Sequence, residues 1–494
     1  MKRERTIRTS GRRLARTLLV VFAVFSCWNG PWAVAATYYV SNEGADENDG
    51  RSPQTSWRTI ARVNGQRFEP GDVVLLRRGD SWREQLVPSS GSPEGHVTYG
   101  AYGSGEKPLL LGSVEVNDPD DWTCEGGNLW STTEPSAGGP ELRWDVGNII
   151  FDGEAACGVK VFNESDLDLE GEYWYDERRR VLTLVSPESP AEHYSDVECA
   201  IRRHIIDQSN ASYAIYENLA LKYGGAHGIG GANTHHVVVR DCDLSYIGGG
   251  DQHGGDRTVR YGNGIEFWAG AHDHLVERCR LSEIYDAALT NQNNAPRVKQ
   301  INITYRHNLI WNCEYSFEYW NRPENSLTEN VRFENNTCLA AGHGWGHTQR
   351  PDPSGRHLCF YTSPAAARGI SVKNNVFFEA KTNALYAPGW PKEAMKALSM
   401  DHNSWYQGEG VMIRAAGAEY PMARFADYQS EFGLEPNSIL AKPAVVDAAN
   451  RNFHLTAESP CIDAGAQLGY ERDFDGNRIP QGAAPDIGAY ELQQ

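Results

Sequence analysis

The sequence is 494 residues long, 22% charged and 40% hydrophobic, with 46 basic residues against 65 acidic ones and a formal net charge of −19. So acidic a chain lacks the basic stripe that a phosphate backbone requires, which excludes nucleic acid as a partner. After the leader described next, no stretch approaches the roughly 20 apolar residues of a membrane helix, which excludes a membrane partner of that kind.

The first 36 residues do not read as mature protein. Lys2, Arg3, Arg5, Arg8, Arg12, Arg13 and Arg16 form a basic head, LLVVFAVF (18–25) a short apolar core, and Ala33-Val34-Ala35 a small-residue cleavage pattern. This is the pattern of a secretory signal peptide, so the mature protein is expected to be secreted or periplasmic. Cleavage near Ala36 would remove seven basic residues and one acidic residue and take the net charge from −19 to −25. Ten cysteines include Cys27 in this leader, and the remaining nine contain no C-x-x-C pair. An odd number leaves at least one free thiol, and zinc held by cysteine is not expected.

Beyond the leader come YYVSNEGADENDGRSPQTSWRTI (38–60) and PGDVVLLRRGDSW (70–82), short strands punctuated by turn residues. GEYWYDERRRVLTLVS (171–186) alternates and turns as a β-hairpin, inserted near 157–200. A repeat then dominates: YENLAL (216–221), RDCDLS (240–245), ERCRLS (277–282), RHNLIW (306–311), ENNTCL (334–339), KNNVFF (373–378) and DHNSWY (401–406). Each contributes one small polar or thiol residue: Asn218, Cys242, Cys279, Asn308, Asn336, Asn375 and Asn403. Asparagine tolerates left-handed backbone angles and bonds to neighbouring turns, while cysteine replaces it as a small buried residue. Repetition at intervals of 24 to 39 residues, without any long helical period, predicts an all-β solenoid in which every coil covers its neighbours.

The entry stretch at 38–82 and the closing stretch SPCIDAG (459–465) with DFDGNRIPQGAAPDIGAYEL (473–492) resemble secreted right-handed parallel β-helix proteins of the pectate-lyase-like superfamily. The resemblance implies a solenoid over 37–440, a closing segment over 441–494 and a carbohydrate-active protein. The scaffold itself hosts lyases, hydrolases, epimerases and adhesins, so the reaction must be argued from the site.

Within each coil a second strand follows the repeated residue. Aligning HGIGG (227–231), NGIEFW (263–268), AALTNQ (287–292), SFEYWN (316–321) and GWGHTQ (344–349) puts Ile229, Ile265, Leu289, Phe317 and Trp345 in one inward column. Strand residues alternate sides, so Gly230, Glu266, Thr290, Glu318 and Gly346 point outward, with Trp268, Gln292 and Trp320 two positions on. Glu266 and Glu318, or one of them with Asp286, are the expected catalytic carboxylates. Trp268, Trp320 and Gln292 would grip a sugar, since an aromatic face packs on the apolar face of a pyranose.

Two loops flank this column. The first, GGGDQHGGDRTVRYGN (248–263), offers Arg257 and Arg260; the second, GHGWGHTQRPDPSGRH (342–357), offers His343 and His347. Tyr285 and Arg322 complete the expected substrate contacts. A glycoside hydrolase is the first reading. A polysaccharide lyase or C5-epimerase using the arginines and tyrosines on a uronate is the second, and a glycan-binding solenoid without catalysis the third. The partner would be a polysaccharide or oligosaccharide, the protein a monomer. No cofactor is expected and calcium is the one candidate ion; Asp473-Phe474-Asp475-Gly476-Asn477 imitates the start of a calcium loop, lacks its closing glutamate, and is read as a turn.

Overall fold

The computed structural model describes residues 35–133, 142–252, 259–363 and 365–493. The expected leader, except its last two residues, lies outside them. Three long sheets dominate, with 11, 10 and 9 strands among the described residues. The chain visits them in turn. His272–Glu277 lies in the first, Arg280–Ile284 in the second and Ala287–Asn293 in the third, before Lys299–Arg306 returns to the first. Each strand pairs in parallel with its counterpart one coil later, as His274 with Ile303, Leu281 with Ile310 and Leu289 with Phe317. The protein is a parallel β-helix.

A single left-handed residue makes the bend between the first and second strands of a coil. Asn218, Asp241, Arg278, His307, Asn335, Asn374 and His402 occupy that position, with φ between 50° and 57°. The next residue points inward: Cys242, Cys279, Asn308, Asn336, Asn375 and Asn403 are fully buried. In the earliest of these coils the inward residue is Leu219, because Glu217 pairs with Arg240 and Ala220 with Asp243. Asn218 therefore belongs one position earlier than its expected column, at the bend that its tolerance of positive φ suits.

From Asn308 onward the column is a hydrogen-bonded ladder. Each Oδ1 accepts both the backbone N–H and the side-chain amide of the asparagine one coil before it, at 2.9 to 3.0 Å, from Asn308 through Asn336 and Asn375 to Asn403. Cys279 joins through its backbone N–H, 3.0 Å from Asn308 Oδ1. At the other end the Asn403 amide donates to both oxygens of the buried Glu435, at 3.1 and 3.0 Å. The nine cysteines among the described residues are all free thiols, with no disulfide between them.

Apolar side chains cover both ends of the helix core. Trp57, Ile60, Val63 and Phe68 close the first coils, and Phe425, Tyr428 and Phe432 of the helix Phe425–Phe432 close the last. The final segment does not cap an end. It lies along the flank of the second sheet, where Phe474 and Tyr490 pack on Leu309, Trp311 and Leu339 and the Ala489 N–H donates to Thr337 Oγ1 at 2.9 Å. The calcium-like run there is a closed turn, in which Asp473 Oδ1 accepts from the backbone of Asp475 at 3.0 Å and of Asn477 at 2.7 Å.

The expected hairpin is real, Glu172–Asp176 pairing antiparallel with Val181–Val185, but the excursion around it begins at Ser113 rather than near 157. Two further sheets enclose a separate core of Val116, Trp122, Ile149, Tyr173, Leu184 and Cys199. This insert holds both loops that border the outward column. Asp145 accepts from the Asp251 N–H at 2.7 Å, and Lys160 is its buried ion-pair partner. The Gly147 carbonyl takes Arg260 Nη2 at 2.8 Å, and the Gly158 carbonyl takes Gln349 Nε2 at 2.8 Å.

Candidate active site

The third sheet carries the expected columns in their expected register. Ile229 pairs with Ile265, Ile265 with Leu289 and Leu289 with Phe317; Glu266 pairs with Thr290, Thr290 with Glu318, and Gln292 with Trp320. The two glutamates thus stand in one outward column, two strands apart. The fifth member differs from expectation. Phe317 is followed by Leu358, not Trp345, because residues 342–355 form an excursion with a short helical turn at His347–Gln349 before the strand Arg356–Phe360. The 39-residue interval from Asn336 to Asn375, long against its neighbours of 28, was the visible sign of this insertion.

Excursion and insert turn an outward face into a cleft of about 810 Å³. That is within the 300–1,000 Å³ usual for small-molecule sites. His204, His227, Asn263, Glu266, Trp268, Asp286, Gln292, Glu318, Trp320, Arg322, Arg350 and Tyr361 contribute to its walls. Neither glutamate is open to bulk water; Glu266 is 6% exposed and Glu318 5%. At the loop stem a Cβ on Gly262 would fall 2.1 Å from the Gly248 Cα, so only glycine lets the two ends cross beside the cleft.

The carboxylates sit in opposite environments. His227 Nδ1 accepts the Asn263 backbone N–H at 2.9 Å, which places the proton of the neutral ring on Nε2, 3.0 Å from Glu266 Oε2. The Asn263 amide donates to Glu266 Oε1 at 3.4 Å. Burial alone would raise the pKa of Glu266, but His227 first, then His204 and Asn263, outweigh it and hold the carboxyl below the ordinary value. His204, stacked on His227 with ring centroids 4.8 Å apart, is pushed down to about 4 by burial and is neutral.

Glu318 goes the other way. Burial first, and the charge of Asp286 next, drive its pKa well above the ordinary value, although Arg350 and a 2.7 Å bond from Gln292 Nε2 oppose the rise. Asp286 is also raised by burial, with Arg350 Nη1 3.3 Å from its Oδ1 holding it back. The two glutamates are thus displaced in opposite directions, Glu266 toward its charged form and Glu318 toward its protonated form. A pair of carboxyls separated in this manner is equipped to serve as base and acid.

Trp268 and Trp320 meet edge to face, centroids 5.3 Å apart at 84°, and the Arg322 guanidinium lies 4.2 Å from the Trp320 ring centre. Gln292 positions Glu318 rather than reaching freely into the cleft. Arg260 lines the wall, but its Nε bonds to the Gly249 carbonyl at 2.7 Å and its Nη2 to Gly147. Three expected contacts lie elsewhere. Tyr285 is buried beneath Arg260 and Arg350, at 4.7 and 4.9 Å from its ring. His347 Nδ1 is 2.9 Å from Glu314 Oε2, and His343 is exposed outside the cleft. Arg257 falls outside the described residues.

No protein-family model matches the chain. A curated lacto-N-biosidase from Bifidobacterium longum is 34% identical over 82 residues, which span 15% of this chain and only 5% of that protein. Among solved structures, a pectate lyase has 12% identity and a TM-score of 0.48, covering 93% of this chain and 96% of its own. A lacto-N-biosidase from Eubacterium ramulus has 15% identity and a TM-score of 0.40, covering 77% of this chain and 65% of its own.

Sequence reasoning missed His227, His204 and Asn263 as neighbours of Glu266, and Arg350 as the partner of Asp286. His227 stands at the turn before the strand Ile229–Gly230, where the two-residue alternation assigns no side. Arg350 reaches the cleft only because its excursion folds back over the sheet, an arrangement with no local signature.

Proposed function

We propose that this chain degrades glycans, as a glycoside hydrolase with Glu318 as general acid and Glu266 as general base. The observation that carries this reading is the opposite pKa displacement of two buried glutamates in one column of the cleft. Glu318 would protonate the leaving glycosidic oxygen. Glu266, kept charged by His227, would take a proton from the attacking water. Trp268 and Trp320 offer an aromatic wall for the sugar, and the short likeness to a lacto-N-biosidase suggests the same substrate class.

Two strand spacings put the glutamate backbones about 9 to 10 Å apart. Inverting enzymes keep their carboxyls roughly 6.5 to 9.5 Å apart, and retaining ones about 5 to 5.5 Å. Inversion is the stereochemical reading proposed, and the anomer first released tests it. An elimination on a uronate is the second reading, favoured by Arg322 at the cleft, where a substrate carboxylate could pair with it. Arg260 and Arg350 support that reading less, because each already holds protein partners.

The test is a panel of neutral and uronate-containing polysaccharides and oligosaccharides. New reducing ends and the ultraviolet absorbance of unsaturated uronates are followed together, and the anomer first released is identified by NMR. Hydrolysis predicts reducing ends without the absorbance, lost in both Glu266→Gln and Glu318→Gln. With a substrate whose leaving group needs no proton, Glu318→Gln regains turnover and Glu266→Gln does not. Absorbance that survives both substitutions would overturn the hydrolase reading. Substrate binding without turnover in the parent protein would leave a glycan-binding solenoid.

A further inference from the structure

We infer that His236, His272 and Asp273, on the outer face of the first sheet, form a binding site for one divalent transition-metal ion of the zinc type. His235 pairs with His272 in adjacent coils, which sets His236 beside Asp273. Tyr213, His236, Asp273 and Asn302 all have φ between 52° and 56°, so four successive coils bulge at the same place and stack these side chains. The candidate ligand atoms of His236, His272 and Asp273 all lie within 4.8 Å of one another.

The surroundings orient those atoms as outer partners orient metal ligands. Asn302 Nδ2 donates to Asp273 Oδ1 at 2.7 Å. Asp273 Oδ2 lies 2.7 Å from His272 Nδ1 and 4.0 Å from His236 Nε2. Donors around a tetrahedral ion with bonds of about 2.0–2.1 Å lie roughly 3.3 Å apart, a value these two distances bracket. The Tyr213 ring stacks on His236 at 4.4 Å, and the Nδ1 atoms of His235 and His236 are 3.1 Å apart, which leaves His236 Nε2 toward Asp273. The three residues are partly exposed, so water can fill a fourth position. Ligation through His272 Nδ1 uses the neutral tautomer with its proton on Nε2, and the ion then takes the place of the hydrogen bond between Nδ1 and Asp273 Oδ2. The other carboxylate trio, Glu115, Asp196 and Glu198, already has an internal cation, with Arg83 Nη2 2.9 Å from Glu115 and Nη1 2.6 Å from Glu198.

The test titrates the chelator-treated, untagged protein with Zn²⁺ by calorimetry and with Co²⁺ by visible absorption. One ion per chain is expected, with the intense absorption of tetrahedral Co²⁺. His272→Ala should weaken binding by about 100-fold or more, and Asn302→Ala by about 10-fold. His236→Asn should match His272→Ala while keeping a residue that tolerates positive φ, so its melting curve reports an intact fold. No stoichiometric binding by the parent protein, or equal binding by these folded variants, would overturn the assignment.

Discussion

Glu435 ends the asparagine ladder, and replacing it with glutamine should abolish a specific pH dependence of stability. Its side chain is fully buried, accepts both bonds of the Asn403 amide and a bond from Ser438 Oγ, and has its pKa raised by burial to about 7. The ordinary value is 4.5. Below pH 4.5 both folded and unfolded chains carry the proton, and the carboxyl contributes fully to stability. Between 4.5 and 7 the unfolded chain releases it while the folded chain retains it, so stability falls as pH rises. At about 1.4 kcal/mol per pKa unit, the loss across this window is about 3 kcal/mol. Glutamine keeps the size and an acceptor for Asn403 but cannot ionise. Denaturant unfolding of both proteins from pH 4.5 to 8 should therefore show Glu435→Gln gaining about 3 kcal/mol relative to the parent as pH rises. Other buried carboxyls titrate equally in both proteins and cancel in the difference. A difference that stays constant with pH would refute the assignment of a buried, proton-holding ladder terminus.

The catalytic reading predicts movable pH limits. Activity should need Glu266 ionised and Glu318 protonated, so His227→Gln, which removes the main influence lowering the Glu266 pKa, should move the acid limb of the pH–rate profile upward. Gln292→Met removes a hydrogen bond to the charged form of Glu318, and the alkaline limb should rise by about one unit. Loss of the general acid in Glu318→Gln should slow a natural glycoside by about 10²- to 10⁴-fold, measured as kcat. In the core, Asn336→Ala deletes the acceptor for the Asn308 backbone and amide and strands buried donors, at about 3 to 5 kcal/mol, read as a lower thermal midpoint.

Repeat chemistry made the solenoid legible. The asparagine and cysteine positions recur because a bend residue and a small inward residue are needed once per coil, a demand that is local and leaves its mark in sequence. Asn218 shows the limit: bend and inward position are neighbours, both accept asparagine, and only the pairing of Glu217 with Arg240 separates them. The outward column of Glu266 and Glu318 was legible for the same reason, since strand alternation and coil period fix register without knowledge of the loops.

What encloses that column was not. Trp345 fits the strand pattern by composition, yet the chain leaves the sheet there, and Leu358 takes the place beside Phe317. The roof over the glutamates joins residues far apart in sequence, Arg260 to Gly147 and Gln349 to Gly158. Such contacts follow from how separate excursions pack, not from any period within them.

The sequence by itself determined the coil, its inward and outward faces, and the positions of two carboxyls in one row, because each rests on backbone geometry repeated every turn. Tertiary structure alone decided the direction in which each carboxyl's pKa is displaced. Burial, the His227 imidazole beside Glu266, and the charge of Asp286 near Glu318 act across space, and no spacing along the chain records the dielectric or the neighbours in which a charge will find itself.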